Sequence, residues 1–270
     1  MPAGPAGPLM KALSAAAALL ALFSPAAAQS LEPEQSALLD AARAEAIRYA
    51  ASLPDFLCTQ IVHRSQSLAR RTPQSLDTLT IQLSYFNHGE DYKLVAIDGK
   101  PASIDFLDAA GAVSTGEFGS RLVSVFHPQS GTGFRWKGWS TLRGRRVARF
   151  AYHVAKERST MYLQYADGRG GASRSVIAAF HGEVLVDAQT HNTLRVTLES
   201  EIPAGFPIEA NRSVTDYDFA DVGGTRYLLP MRAETFCRSA GIESINYIQF
   251  RDYRKFQTET NITFAPDGKD

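Results

Sequence analysis

The sequence predicts a mainly β protein (α+β), with a curled antiparallel sheet or open half-barrel capped by an N-terminal helix and a short second helix. Three observations predict it. Long stretches alternate apolar and polar residues with period two, Gly- and Asn-containing turns join them at hairpin distance, and only two segments carry helical spacing. Strands joined by short turns form an antiparallel sheet, and a twisted sheet of many strands curls and acquires a concave face.

Lys11 is the only charge before Glu32, an uncharged apolar run follows from Ala12 to Phe23, and the small residues Ala26, Ala27 and Ala28 close the segment. This layout is that of a secretory signal peptide, residues 1–28, with cleavage between Ala28 and Gln29. The run is too short to span a bilayer, which takes about 20 residues, and no later stretch of the mature chain reaches transmembrane length without charge. Residues 29–270 are expected to form one β-rich domain in the periplasm, with secretion as the alternative destination.

From Glu34 to Ser52 the apolar positions Leu38, Leu39, Ala42, Ala46, Tyr49 and Ala50 recur at spacings of three and four. Pro33 starts this helix and Pro54 stops it. Leu79, Ile81, Leu83 and Tyr85 then alternate with polar residues, Asn87 to Glu90 turn the chain, and Tyr92 to Ile97 return, which makes a hairpin. A second hairpin joins Phe134–Leu142 to Val147–Val154 through Arg143, Gly144 and Arg145, and Met161–Tyr165 is expected to continue the meander. Further strands are expected at 182–188, 194–201, 214–222, 226–237 and 242–256. Ser114 with Glu117 resembles a capping box before the apolar stripe Phe118, Leu122, Val123 and Phe126, which predicts the short second helix. Residues 64–74, 167–173 and the tail from Ala265 are polar or glycine-rich and read as loops.

Composition narrows the function classes. The 270 residues are 44% hydrophobic, 21% charged and 10% aromatic, and 28 Lys plus Arg balance 28 Asp plus Glu. Gly and Pro are near average usage, which excludes collagen-like or low-complexity chains, and the zero net charge leaves no footprint for nucleic acid. Export implies an oxidising compartment, which favours a Cys58–Cys237 disulfide over two buried thiols. Closing its loop of about 180 residues would stabilise by roughly 5 kcal/mol in the chain-entropy model.

Catalytic patterns are sparse. The six histidines are scattered, with no metal-ligand spacing, so no metal and no cofactor are expected. His153 reads as a strand histidine, hydrogen-bonded or exposed. No Gly-x-Ser-x-Gly elbow is present, and the glycines at 168, 170 and 171 lack the Lys-Ser or Lys-Thr of a phosphate loop. Asp216 and Asp218 share one strand face, and Tyr217 and Phe219 share the other, the alternation of a half-solvated strand. Arg143, Arg145, Arg146 and Arg149 crowd around a glycine turn, where solvent exposure is expected. The aromatic residues are the more informative signal. Phe134 and Trp136 share a face with Trp139 opposite, and Phe150 and Tyr152 alternate on the next strand. Such rings either fill a core or line a pocket for an acyl chain, where each buried CH₂ is worth about 0.8 kcal/mol. Leu83, Tyr85, Phe134, Trp136, Phe150 and Tyr152 are the candidate lining of such a pocket.

These pieces together resemble the periplasmic outer-membrane lipoprotein-carrier (lipoprotein-sorting) superfamily. The likeness rests on Gly182–Asp187 with Thr190 and Leu194–Leu198 after it, on Tyr217–Asp218, Gly223–Gly224 and Leu229–Pro230, and on Phe250, Asp252–Tyr253 and Ile262–Phe264. The resemblance implies a helix-capped half-barrel that holds acyl chains and passes them on. The chain departs from it in its length and in lacking a motif for the carriers' cavity arginine. The expected function is therefore non-catalytic: binding or carrying a lipid or lipidated protein. An envelope sensor that binds a partner protein on the same fold is the alternative, and enzymatic activity ranks third.

Overall fold

The computed structural model describes residues 31–68, 71–106, 109, 111–166 and 173–256. The expected signal peptide with its expected cleavage between Ala28 and Gln29, the tail and Ile262–Phe264 lie outside these residues.

Helix α1 (Pro33–Ser52) begins with proline at its first turn and a reciprocal cap between Glu32 and Gln35, and Leu53 ends it in extended backbone before Pro54. It buries Leu39, Ala42, Ala46 and Tyr49. Among the described residues thirteen strands follow, with one further α-helix and two short 3-10 turns (Pro128–Ser130 and Lys156–Arg158) among them. They are β1 (Phe56–Leu68), β2 (Gln74–Phe86), β3 (Gly89–Ile97), β4 (Lys100–Pro101), then α2 (Gly119–Phe126), β5 (Gly133–Leu142), β6 (Arg145–Val154), β7 (Tyr162–Tyr165), β8 (Arg174–Ile177), β9 (Ala179–Asp187), β10 (Thr193–Glu201), β11 (Ile208–Val222), β12 (Thr225–Ser239) and β13 (Ile242–Lys255).

Eleven of the strands form one antiparallel sheet in the order β4-β3-β2-β1-β13-β12-β11-β10-β9-β6-β5. It stays open, with β4 and β5 at its margins. The hairpin turns are built where the backbone needs positive φ: Asn87 and His88 between β2 and β3, Arg143 and Gly144 between β5 and β6. Both helices and the inward residues of nearly every long strand belong to a single hydrophobic core. α2 closes on α1 at Gly119, where a Cβ would stand 3.4 Å from that of Ala50. The half-barrel and its two caps are therefore one packed unit.

The structure corrects several expectations. β1 runs through residues read partly as loop, and it lies at the centre of the sheet between β2 and β13. Its inward positions include Gln60 and Arg64, at 0% and 4% exposure, which breaks the apolar alternation that marks a strand. β7 does not extend the meander. It pairs only with β8, over a small satellite core of Leu163, Ala178 and Ile208. Ser114 does not cap α2, because its hydroxyl donates to the Glu117 carboxylate at 2.6 Å and Phe118 stands at the cap. On β5 the register slips between Trp136 and Gly138, where Gly138 adopts φ +101. This bulge inserts one residue and returns Trp139 to the face of Trp136, with the rings 5.3 Å apart, instead of opposite it.

Cys58 and Cys237 are free thiols, against the expected bridge. The register explains why. Cys237 faces Ser244 on β13, whereas Leu57, beside Cys58, faces Arg254 on the same strand. Ten residues of strand separate those contacts, roughly 33 Å, and a disulfide needs Cα atoms within about 7 Å. Cys58 sits in the main core, and Cys237 packs on the satellite core.

Candidate functional site

The space between the concave face and the helices is where a guest would sit. Phe56 of β1 stacks on Tyr85 of β2 with centroids 5.1 Å apart, and Phe118, at the start of α2, leans on both rings and on Phe250. At the other end of α2, Phe126 stacks on Phe134 at 5.6 Å, and Phe134 tilts toward Tyr152. Trp136 meets Phe150 edge-on at 5.2 Å. The two ends of one short helix thus touch both groups of aromatic residues that the sequence singled out. Leu83, Tyr85, Phe150 and Tyr152 are buried in the core, while Phe134 and Trp136 are half-buried on the margin strand. As placed, these side chains fill the interior themselves. The space left beside Gln60, under Phe106, Ala112, Val113 and Ser114, is about 10 Å³, the room of one water molecule.

Polar groups gather under α2 and the segment leading into it. The Glu90 carboxylate accepts from Gly116 N at 3.0 Å, from Ser120 Oγ at 3.3 Å and from the Tyr92 hydroxyl. Tyr217 Oη donates to the Glu117 carbonyl at 2.8 Å, a buried contact that fixes the entry to α2 against β11. One turn on, Arg121 Nη2 lies 4.0 Å from Glu117 Oε1, with both side chains buried. Glu117 Oε2, Arg121 Nε, Tyr49 Oη and both amide atoms of Gln60 are buried with no partner. Burial, then the neighbouring Glu117 charge, pushes the Glu90 carboxyl above the usual carboxylate range, against the hydrogen bonds it accepts. Burial likewise raises Tyr49, Tyr92, Tyr152 and Tyr217, so their phenols stay protonated.

The other sequence candidates are placed as follows. Asp216 is 3% exposed and bound by Arg195 at 2.6 and 2.8 Å and Arg232 at 2.8 Å, so it is a buried ion-pair centre and not part of a solvated face. Asp218, on the same face, is half-exposed. His153 and His181 both approach Glu201 Oε1, at 3.2 Å, on the outer surface. Arg149 pairs with Glu183 at 2.7 Å. Burial pushes Cys58 up to about 12 and Cys237 up to about 11, which leaves neither thiol nucleophilic near neutral pH. Among the described residues no helix is long and apolar enough to cross a membrane. The unpaired atoms of Gln60, Glu117 and Arg121 belong to residues outside the candidate lining; of the three, the sequence marks only Glu117, as one half of a capping pattern.

No family model and no curated protein matches the sequence. Solved structures do show likeness. A LolA superfamily protein from Nitrosomonas europaea shares 9% identity over 85% of this chain and 97% of its own, with a TM-score of 0.39. An outer membrane lipoprotein-sorting protein domain from Vibrio parahaemolyticus shares 11% over 83% and 93%, also at 0.39. The lipoprotein LppX of Mycobacterium tuberculosis shares 10% over 83% and 98%, at 0.30. Likeness at this level concerns the fold and carries no argument about function.

Proposed function

We propose that the protein is a non-catalytic periplasmic binding protein that takes a lipid or acyl chain between its curled sheet and α2. In this reading α2 and residues 111–118 lift as one element. The ligand then replaces Phe118 and Phe126 against Leu83, Tyr85, Phe134, Trp136, Phe150 and Tyr152. One observation carries the reading: buried polar atoms without partners lie at the seam of this element, on Gln60 beneath residues 112–114 and on Glu117 and Arg121 of the element itself. Each such atom costs about 1–3 kcal/mol when left unsatisfied. Groups of that kind persist where a second state of the molecule gives them partners, here the polar end of an amphiphile or admitted water.

The test is a titration of the mature chain with a fluorescent polyene fatty acid. Ala50→Cys with Gly119→Cys joins α1 to α2 at a separation suited to a disulfide. Saturable binding is expected when that pair is reduced, with loss of binding when it is oxidised. No saturable binding in the reduced protein overturns the proposal, and equal binding in both redox states overturns the moving helix.

A second reading, an envelope module that docks a partner polypeptide, is favoured by Trp139. That ring is 39% exposed on the margin strand and lies under the Arg146 guanidinium, 3.9 Å from its centroid. Stoichiometric recovery of one envelope protein, abolished by Trp139→Ala, would select it.

A further inference from the structure

Away from the interior, the sheet carries an open cleft at one end. β10 pairs with β11 only from Arg195↔Asp216 to Glu199↔Arg212, yet β11 and β12 continue together to Val222 and Thr225. Residues 217–230 therefore form an arm that β10 does not flank. The β5–β6 turn reaches this arm. Arg143 donates from Nη2 to the Tyr217 carbonyl, and its Nε lies 3.7 Å from Asp218 Oδ2. Between turn and arm lies a cleft of about 500 Å³, lined by Arg143, Arg145, Asp218, Phe219 and Arg226.

The charges in this cleft are unequally matched. Arg145 Nε is 3.4 Å from Asp187, whose carboxylate already accepts from Gln189 N, Thr190 N and Thr190 Oγ1. Asp216, 3.9 Å from Arg143, is divided between that residue, Arg195 and Arg232. Arg226 is exposed, stacks on Phe219 at 5.4 Å and makes no ion pair among the described residues. Asp221 faces it across the hairpin and accepts from Gly224 N at 3.0 Å. Arg143 adopts φ +49 in the turn, a conformation uncommon for arginine.

We propose that this cleft binds a phosphate-bearing group, carried by a lipid headgroup or by a soluble phosphoester. Guanidinium forks match phosphate oxygens, and three of them converge here from two separate parts of the chain. The volume exceeds that of a phosphate and leaves room for the ester's organic part against the Phe219 ring. Asp218 can accept from a hydroxyl of the ester beside the phosphate. The cleft lies apart from the aromatic interior and its proposed ligand.

The test uses the mature chain with two kinds of probe: glycerol 3-phosphate followed by calorimetry, and sedimentation with phosphatidylcholine vesicles that contain or lack phosphatidylglycerol. Arg226→Gln and Arg145→Gln are each expected to weaken binding roughly tenfold, the worth of one charge-assisted hydrogen bond. Arg251→Gln, an exposed arginine elsewhere on the sheet, is expected to leave it unchanged. Binding of vesicles alone assigns a lipid headgroup, and binding of the soluble ester alone assigns a free phosphoester. Absence of binding to both probes overturns the proposal, as does equal loss in Arg251→Gln. Thermal melts of Arg226→Gln matching the wild type separate lost binding from lost folding.

Discussion

Tyr152 lies across Gly182. The two are cross-strand partners on β6 and β9, and the Tyr152 hydroxyl donates to the Thr197 carbonyl on β10 at 2.8 Å. A Cβ on Gly182 would stand 1.9 Å from that carbonyl oxygen and 3.1 Å from the tyrosine hydroxyl. Glycine here is required by the backbone of the next strand. Gly182→Ala is expected to destabilise the protein by about 3 kcal/mol or more, because neither strand can give way without breaking the ladder. Tyr152→Phe, which leaves one carbonyl unpaired, should cost about 1 kcal/mol. Urea denaturation followed by intrinsic fluorescence checks both, and similar midpoints for the two variants would contradict this account.

Gln60→Leu should act in the opposite direction. Removing a buried amide with no partner at either end, while keeping its volume, is expected to raise stability by about 1–3 kcal/mol. If the amide serves the ligand, the same variant binds the fatty-acid probe more weakly. Denaturation and titration of one preparation read both effects.

Two carboxyls give pH dependences of opposite sign. Glu90 is raised in the folded state by burial and by the Glu117 charge, so its contribution is full below the unfolded value, about 4.3, and is lost as pH rises through the folded one. Glu90→Gln is therefore expected to gain in melting temperature relative to wild type between pH 4 and pH 7. Burial also opposes ionisation of Asp216, but the hydrogen bonds from Arg195 and Arg232 outweigh it and hold the carboxyl low. Its contribution is full above the unfolded value, about 3.9, and disappears on further acidification. Asp216→Asn should be less stable than wild type at neutral pH, with the gap closing toward pH 2. Melting curves across that range provide the check.

The cysteines offer a direct test of the register. Thiol titration of the unreduced, denatured chain is expected to find both Cys58 and Cys237 free, and the native protein should label slowly at both. A bridged pair would mean that β1, β13 and β12 are paired differently.

Much of the architecture was legible because its signals were local. Pro33 and the spacing from Leu38 to Ala50 mark α1, and the alternation through Leu79–Tyr85 and Phe150–Val154 marks strands whose inward residues are all apolar. β1 was not legible, because Gln60 and Arg64 occupy positions where periodicity expects hydrocarbon. The face of Trp139 was hidden for another reason: a bulge at Gly138 changes no composition, only phase. The candidate lining was readable as aromatic, but not the polar set beneath α2. Glu117 and Arg121 stand one turn apart on what looks like a solvent-facing helix start, and it is tertiary packing that buries them.

The two margins of the sheet set how the molecule behaves in a crowd. One ends in a two-residue strand closed by Pro101, and the other is kinked at Gly138 and carries Arg135 and Lys137 outward. Neither presents a straight, uncharged run of free amides for a neighbouring copy to zip onto. An open sheet of this size is thereby kept from stacking edge to edge with its neighbours.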